Sequence, residues 1–186
     1  YAAADRDVPA GSPAGGPFGK IAAYAWGEDY HEIIPDRLAQ LMAHIEGLVG
    51  RRIQSKIYTD SGPLLERELA QRAGLGWIGK TDLLVTKKFG PRLRLTSILL
   101  KDPVIPESKP IDISRCGTCN ICVEICPAKA ANGKIWDITV EREEFFDAGK
   151  CRNQCAEFGR TRLSMDARVC GMCVAACPIG QDNTNI

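Results

Sequence analysis

The hydrophobic positions of the first hundred residues follow a helical period and then a strand period. Five apolar residues between 28 and 49 recur at helical spacing with charges on the other face: Ile34, Leu38, Leu41, Ile45 and Leu48. This pattern predicts an amphipathic helix over 28–49, with Pro35 tolerated near its start and Gly50 as its stop. Residues 52–59 alternate between polar and apolar types and predict a strand.

Further short elements are predicted between 60 and 110. The DSGP turn at 60–63 leads into a short helix over 64–74, and apolar segments at 83–88 and 92–100 predict a hairpin joined by FGP. The Gly74, Gly76 and Gly79 run spells G-x-G-x-x-G. A helix is predicted before this run and a strand after it, the reverse of a dinucleotide site. A helix cap with a tight turn is therefore favoured.

Cysteine is distributed very unevenly along the 186 residues. All nine cysteines lie between Cys116 and Cys177, and the first 115 residues have none. This change in composition marks a domain boundary in a chain that is predicted to be α+β. Three parts are expected: a flexible, Gly/Pro/Ala-rich N-terminal arm at 1–19, an α/β domain at 20–110 that ends in a proline-rich linker, and a cysteine domain at 111–186. A net charge of +1 argues against broad non-specific nucleic-acid binding, and the absence of a long apolar run argues against a membrane span.

The first cysteine group has the spacing C-x2-C-x2-C-x3-C-P. Bacterial ferredoxins use this spacing to bind a [4Fe–4S] cluster, with the fourth cysteine ligating the second cluster. The group consists of Cys116, Cys119, Cys122 and Cys126, followed by Pro127.

The second group has only three of its four members, because Ala167 stands where a full repeat needs cysteine. The crossed pattern assigns one cluster to Cys116, Cys119, Cys122 and Cys177. It assigns the other cluster to Cys126, Cys170, Cys173 and either Cys151 or Cys155. Zinc is the alternative, but it needs neither the third cysteine at this spacing nor the following proline. The clusters favour a reducing compartment, so a cytoplasmic location is expected.

Several other side chains are weaker candidates. Four cations crowd the predicted hairpin and could bind phosphate, although a solvated surface is favoured: Lys87, Lys88, Arg92 and Arg94. His31 and His44 are expected to be structural or exposed. Trp77 is expected in the core, with stacking on a planar cofactor as an alternative. Asp60 ends a strand, where capping of the next helix and catalysis are equally supported, and Tyr58 is a possible second proton donor.

Three segments carry a resemblance to a known family. GEDYH (27–31), TDSGPLLERELAQRAGLGWIGK (59–80) and the double cluster group resemble epoxyqueuosine reductase, whose members reduce an epoxide on a modified tRNA nucleoside. The resemblance implies a partial cobalamin-binding fold, akin to that of reductive dehalogenases, followed by a ferredoxin-like domain with two [4Fe–4S] clusters. It implies that Asp60 is the proton donor and that Cys151 is the missing ligand. Tyr58, Trp77 and Lys80 are the candidate cobalamin contacts.

The resemblance also implies partners and leaves alternatives open. A low-potential donor of the ferredoxin or flavodoxin type would supply electrons, and tRNA would be the substrate. The sequence CPIG at 177–180 differs from the Cys-Pro-Trp of the tRNA enzyme. A reductive-dehalogenase-like enzyme acting on a small molecule and a ferredoxin-type electron carrier without catalysis therefore remain as alternatives.

Overall fold

The computed structural model describes residues 28–60, 62–104 and 109–181. These ranges form a mixed α+β fold, as the sequence predicts. The predicted arm at 1–19 lies outside the described residues, as do residues 105–108 of the predicted linker. Within the described ranges, none of the helices combines the length and apolar character that crossing a membrane requires.

The predicted amphipathic helix is confirmed as α1, Tyr30–Val49. Asp29 caps its N-terminus by accepting a 2.9 Å hydrogen bond from the backbone N–H of His31. Gly50, at φ 73°, ends the helix in the left-handed conformation that glycine adopts without steric cost. This cap places Tyr30 and His31 in the first turn of α1.

Two antiparallel two-stranded sheets follow. β1 (Ser55–Tyr58) pairs with β4 (Ser97–Leu100), with Tyr58 opposite Ser97. β2 (Trp77–Ile78) pairs with β3 (Leu84–Val85), and these four residues are buried.

The predicted hairpin between 83–88 and 92–100 is wrong, since each segment pairs with a strand elsewhere in the chain. The chain turns back at Thr86 and Gly90, which exchange two backbone hydrogen bonds of 3.0 and 2.9 Å. Pro91 follows directly and has no N–H to continue such a ladder. The pairing of the two arms of this turn therefore ends at Thr86 and Gly90. The segment after the turn pairs with β1 instead.

Helix α2 (Glu66–Arg72) lies within the predicted 64–74 helix, and Gly74 follows it at φ 73°. Gly76 lies so close to β3 that a Cβ atom would stand 2.3 Å from the carbonyl oxygen of Val85. These glycines therefore cap a helix and allow a close backbone approach, as the sequence analysis favoured.

The cysteine half contains four helices in its described part: α3 (Ile121–Glu124), α4 (Arg142–Phe145), α5 (Ala148–Leu163) and α6 (Met172–Ala176). Helices α3 and α6, each following the start of one cysteine group, pack against each other. Phe145 is fully buried at the end of α4.

Polar contacts join the two halves. The buried carboxylate of Asp82 binds Arg67 of its own half and accepts a 2.6 Å hydrogen bond from Nε of Arg142 in α4. The Gln71 side chain donates to the Ile111 carbonyl at 2.8 Å. Because Asp82 is nearly inaccessible to water, the two guanidinium groups compensate the charge of its carboxylate.

Candidate functional site

Asp60 lies just after β1 in the left-handed conformation, at φ 61°. Its Oδ2 accepts a 2.6 Å hydrogen bond from the Tyr30 hydroxyl and stands 3.9 Å from Nε2 of His31. The other imidazole nitrogen, Nδ1 of His31, is 2.7 Å from Oδ1 of Asp29. Four side chains with acid–base chemistry therefore meet where α1 begins.

This geometry contradicts the interpretation of Asp60 as a helix cap. The N-cap position of α2 is Leu65, five residues further along the chain. The Asp60 carboxylate instead faces Tyr30 of α1, 30 residues away in sequence. Asp60 is thus held by a tertiary contact, and its side chain is 61% exposed and accessible to a substrate.

Tyr30 is held in its protonated form. Burial, followed by the hydrogen bond to Asp60, raises the pKa of Tyr30 to about 12. The guanidinium of Arg94 lies 4.4 Å from the centre of the Tyr30 ring. At neutral pH this hydroxyl is therefore a donor to the carboxylate. Asp29 and Tyr30 were not among the candidates predicted from the sequence, although the GEDYH motif contains both, and His31 is exposed in part, in line with its expected structural or exposed role.

The three candidate cobalamin contacts lie in different surroundings. Tyr58 is half-buried, and a Cβ at Gly62 would stand 2.4 Å from its Cδ1. Trp77 is buried in the β2–β3 core, and its Nε1 has no hydrogen-bond partner within the described residues. Lys80 is also buried, but its ammonium is directed to the cysteine half, at 2.9 Å from the Cys119 carbonyl oxygen.

The four cations of the predicted hairpin do not gather into one phosphate site. Arg92 binds backbone carbonyls near Cys177, Arg94 covers the Tyr30 ring, and the Lys88 ammonium lies 5.0 Å from the centre of the Phe89 ring. Each of these three cations has its own partner, as expected for a structured surface rather than a phosphate pocket.

The thiols form two groups, and the first matches the crossed pattern. Burial raises the pKa of Cys122 to about 11, and the neighbouring charges that add to this shift belong to Cys116, Cys177 and Cys119. Cys177 in turn has Cys116 and Cys119 among its electrostatic neighbours. The last cysteine of the second group thus lies with the first three of the first group.

The second group gathers around Cys173. Burial raises the pKa of Cys173 to about 12, with further contributions from Cys170, Cys151, Cys122 and Cys126. Cys151 likewise has Cys126 and Cys170 as electrostatic neighbours. Burial also raises the pKa of Cys155 to about 12, and its thiol shares hydrogen bonds with Cys151 and Cys170. Cys151 and Cys155 therefore both lie beside Cys170.

The arrangement of donors fits two iron–sulfur clusters. All nine thiols are free and partly buried, so none is consumed by a disulfide. Among the described residues, no three His, Cys, Asp or Glu side chains converge on a point that could hold a single metal ion. A cubane instead takes one thiolate on each of its four irons, so its ligands surround a body larger than one ion.

Two family models match separate parts of the chain. The family described as "Epoxyqueuosine reductase QueG, DUF1730" matches residues 2–61, and the "4Fe-4S double cluster binding domain" matches residues 115–180. The second half is therefore a domain that binds two [4Fe–4S] clusters.

Individual relatives extend the similarity over most of the chain. An epoxyqueuosine reductase of Cyclobacterium marinum is 36% identical over 132 residues, 71% of this chain and 39% of the relative. One of Atelocyanobacterium thalassa is 30% identical over 164 residues, 87% of this chain and 51% of the relative.

Solved structures share the fold. The structure of epoxyqueuosine reductase from Streptococcus thermophilus has a TM-score of 0.66 at 26% identity, over 94% of this chain and 46% of that one. An epoxyqueuosine reductase solved with an epoxyqueuosine-modified tRNA-Tyr stem loop has a TM-score of 0.61 at 24% identity, over 83% of this chain and 40% of that one, which shows a common fold.

The chain thus spans roughly two fifths to one half of the length of these relatives. Both of its ends carry a family match, and the alignment with the Atelocyanobacterium protein covers most of the sequence between them. The chain belongs to the epoxyqueuosine reductase family.

Proposed function

We propose that this chain carries the acid–base site and the electron-transfer centres of an epoxyqueuosine reductase. The observation that carries the proposal is the 2.6 Å hydrogen bond from Tyr30 to an accessible Asp60, in the half of the chain that also contacts the first cluster loop through Lys80. The family match supplies the reaction, reduction of epoxyqueuosine, and the relative solved with an epoxyqueuosine-modified tRNA stem loop supports a tRNA substrate.

The ligand sets follow the two thiol groups. One cluster would be held by Cys116, Cys119, Cys122 and Cys177, and the other by Cys126, Cys151, Cys170 and Cys173. When bound, the clusters accept single electrons from a low-potential donor of the ferredoxin or flavodoxin type. The chain's own contribution is to bury the thiols partly and so shield the clusters from water.

Cobalamin is proposed as the group that delivers the electrons to the substrate. The unpartnered Nε1 of buried Trp77 fits a hydrogen bond to an acceptor on such a cofactor, and half-buried Tyr58 could form part of its surroundings. The ring of Trp77 is packed in the core and does not fit as a stacking platform. Lys80 does not fit as a contact, because its ammonium is directed to the cysteine loop.

Asp60 is proposed to deliver a proton to the epoxide oxygen. Reduction of an epoxide takes up two electrons and two protons, and breaking the C–O bond is easier when the oxygen is protonated. A positioned acid of this kind contributes about 10²- to 10⁴-fold. Tyr30 holds the carboxyl in place, and Asp29 orients the imidazole of His31 3.9 Å from Asp60, where it can return a proton.

The test is an anaerobic assay with the 186-residue chain reconstituted with iron, sulfide and cobalamin. The substrate is an anticodon stem loop carrying epoxyqueuosine, and dithionite is the reductant. We expect conversion of the epoxide, eight irons per chain and no conversion by the Cys116→Ser variant. Eight irons with no bound corrinoid and no conversion would support the electron-carrier alternative and contradict the proposal.

A further inference from the structure

Lys80 is a buried cation whose bonds run to the first cysteine loop. The residue is only 3% exposed. The ammonium donates to the Cys119 carbonyl oxygen at 2.9 Å and to Oδ1 of Asn120 at 2.8 Å. Both acceptors are neutral, and no carboxylate lies within ion-pair distance of Lys80 in the described part of the chain. A buried charge is normally paired, so a compensating anion is to be expected close by.

Arg92 makes the corresponding contact with the second cysteine segment. Its guanidinium donates to the Cys177 carbonyl at 2.6 Å, to the Ile179 carbonyl at 2.8 Å and to the Ala175 carbonyl at 3.1 Å. These acceptors are again neutral.

The backbone brings this segment and the Arg92 turn together. A Cβ at Gly90 would stand 2.0 Å from the Ile179 carbonyl oxygen, and one at Gly180 would stand 2.4 Å from the Gly90 nitrogen. The position of Arg92 relative to Cys177 is therefore set by backbone packing.

Together the two cations reach both segments that supply the first thiol group. Lys80 binds the loop that carries Cys116, Cys119 and Cys122, and Arg92 binds the segment that carries Cys177. The backbone next to Lys80 also lies close to the first thiol group. A Cβ at Gly79 would stand 3.7 Å from the sulfur of Cys116. Both cations come from the half that contains no cysteine.

We propose that Lys80 and Arg92, which bind the two ligand segments of the first cluster, raise the reduction potential of that cluster. Four thiolates give the cluster a net negative charge, and uptake of one electron from the reductant adds another. A nearby cation stabilises the more negative, reduced form, and water screens the field of buried Lys80 less than that of partly buried Arg92. The anion that Lys80 lacks in the protein is then supplied by the cluster.

The experiment is an anaerobic redox titration of the reconstituted chain with dithionite, followed by the EPR signals of the two clusters. Lys80→Met and Arg92→Gln each remove one charge, and Lys80→Arg restores a cation at the same position. Lys134→Met is the matched control, because it removes a half-exposed cation of the cysteine half that pairs with Glu144. The second cluster in each chain serves as an internal reference.

We expect both charge-removing variants to keep eight irons and to lower one of the two potentials. The equilibrium constant for reduction should fall at least about tenfold, which corresponds to a potential lower by about 59 mV for one electron. Lys80→Arg should have a reduction potential close to that of the wild type. Lys134→Met should change neither potential.

Unchanged potentials in Lys80→Met and Arg92→Gln would overturn the proposal. Loss of four irons from both variants would also overturn it, because the cations would then serve assembly rather than potential. The proposal uses the cluster assignment and does not depend on epoxide reduction. A chain without activity on the tRNA stem loop can therefore still confirm or contradict it.

Discussion

The Tyr30 hydroxyl donates a 2.6 Å hydrogen bond to Oδ2 of Asp60, across 30 residues of sequence. This bond joins the first turn of α1 to the end of β1 and fixes the one carboxylate that the family resemblance assigns to proton transfer. It also leaves Asp60 more than half exposed. The site thus combines an anchored carboxylate with access from solvent, as a group that must exchange protons requires.

The first prediction concerns the pH dependence of stability at Tyr30. Its pKa is raised to about 12 in the folded chain, against about 10 when unfolded. Below pH 10 both states hold the proton, so the stabilising contribution is complete. Between pH 10 and 12 only the unfolded state releases its proton, so the contribution is lost as the pH rises.

Urea unfolding of the wild type and of Tyr30→Phe checks this prediction. We expect the wild type to be more stable by a constant margin from pH 7 to 9, of the order of 0.5–1.5 kcal/mol for one hydrogen bond. The margin should shrink above pH 10. A margin that stays constant up to pH 11 would show that Tyr30 titrates normally.

The second prediction separates Cys151 from Cys155. Both cysteines lie in α5 beside Cys170, and the family resemblance assigns the ligand role to Cys151. We therefore expect Cys155→Ser to retain eight irons per chain after anaerobic reconstitution, and Cys151→Ser to retain about four irons. Iron and sulfide analysis measures both. The opposite result would make Cys155 the ligand.

Features set by neighbouring residues were predictable from the sequence. Helix α1 follows from its apolar period and from the stop at Gly50, and both of these act within a few residues. The cluster motif is equally local, because three thiolates must reach one cubane from a single tight loop.

Features that depend on distant contacts were not predictable. β2 and β3 have two residues each, too short to show a period, so their pairing could not be distinguished from a hairpin with β4. The role of Lys80 depends on acceptors about 40 residues away, and Tyr30 meets Asp60 only after α1 and β1 have packed. The family resemblance therefore suggested Lys80 as a cobalamin contact, while its hydrogen-bond partners belong to the cysteine loop.

The third prediction concerns the contact between the turn at Gly90 and the end of the cysteine domain. Gly90 has φ 59°, and a Cβ there would meet the Ile179 carbonyl oxygen at 2.0 Å. Gly90→Ala should lower the free energy of unfolding by more than the roughly 1–2 kcal/mol of the left-handed conformation alone, since backbone must also move. It should also weaken the cluster held by Cys177, visible as faster iron loss to a chelator.

Gly47→Ala is the control for that variant. Gly47 lies in α1, exposed, and a Cβ there would have no neighbour within 4 Å. The same substitution should raise stability by about 0.5–1 kcal/mol and leave iron release unchanged. If Gly90→Ala behaves like Gly47→Ala, the close approach of the turn to Ile179 does not exist in solution.

The last prediction tests Asp60 as the proton donor. Asp60 has φ 61°, a conformation that asparagine tolerates better than most residues. Asp60→Asn therefore keeps the backbone, and its amide oxygen can still accept the hydrogen bond from Tyr30. What it loses is the ionisable proton. We expect both clusters to be retained and turnover of the epoxide stem loop to fall by about 10²- to 10⁴-fold.

Asp60→Ala provides the comparison, because alanine removes both the proton and the hydrogen bond and is strained in the left-handed conformation. Its activity should fall at least as far as that of Asp60→Asn, and its stability should also fall. Initial rates under anaerobic conditions, with iron content and urea midpoints measured on the same samples, separate the two effects. Normal turnover by Asp60→Asn would show that the carboxylate holds Tyr30 in place and that the proton comes from another group.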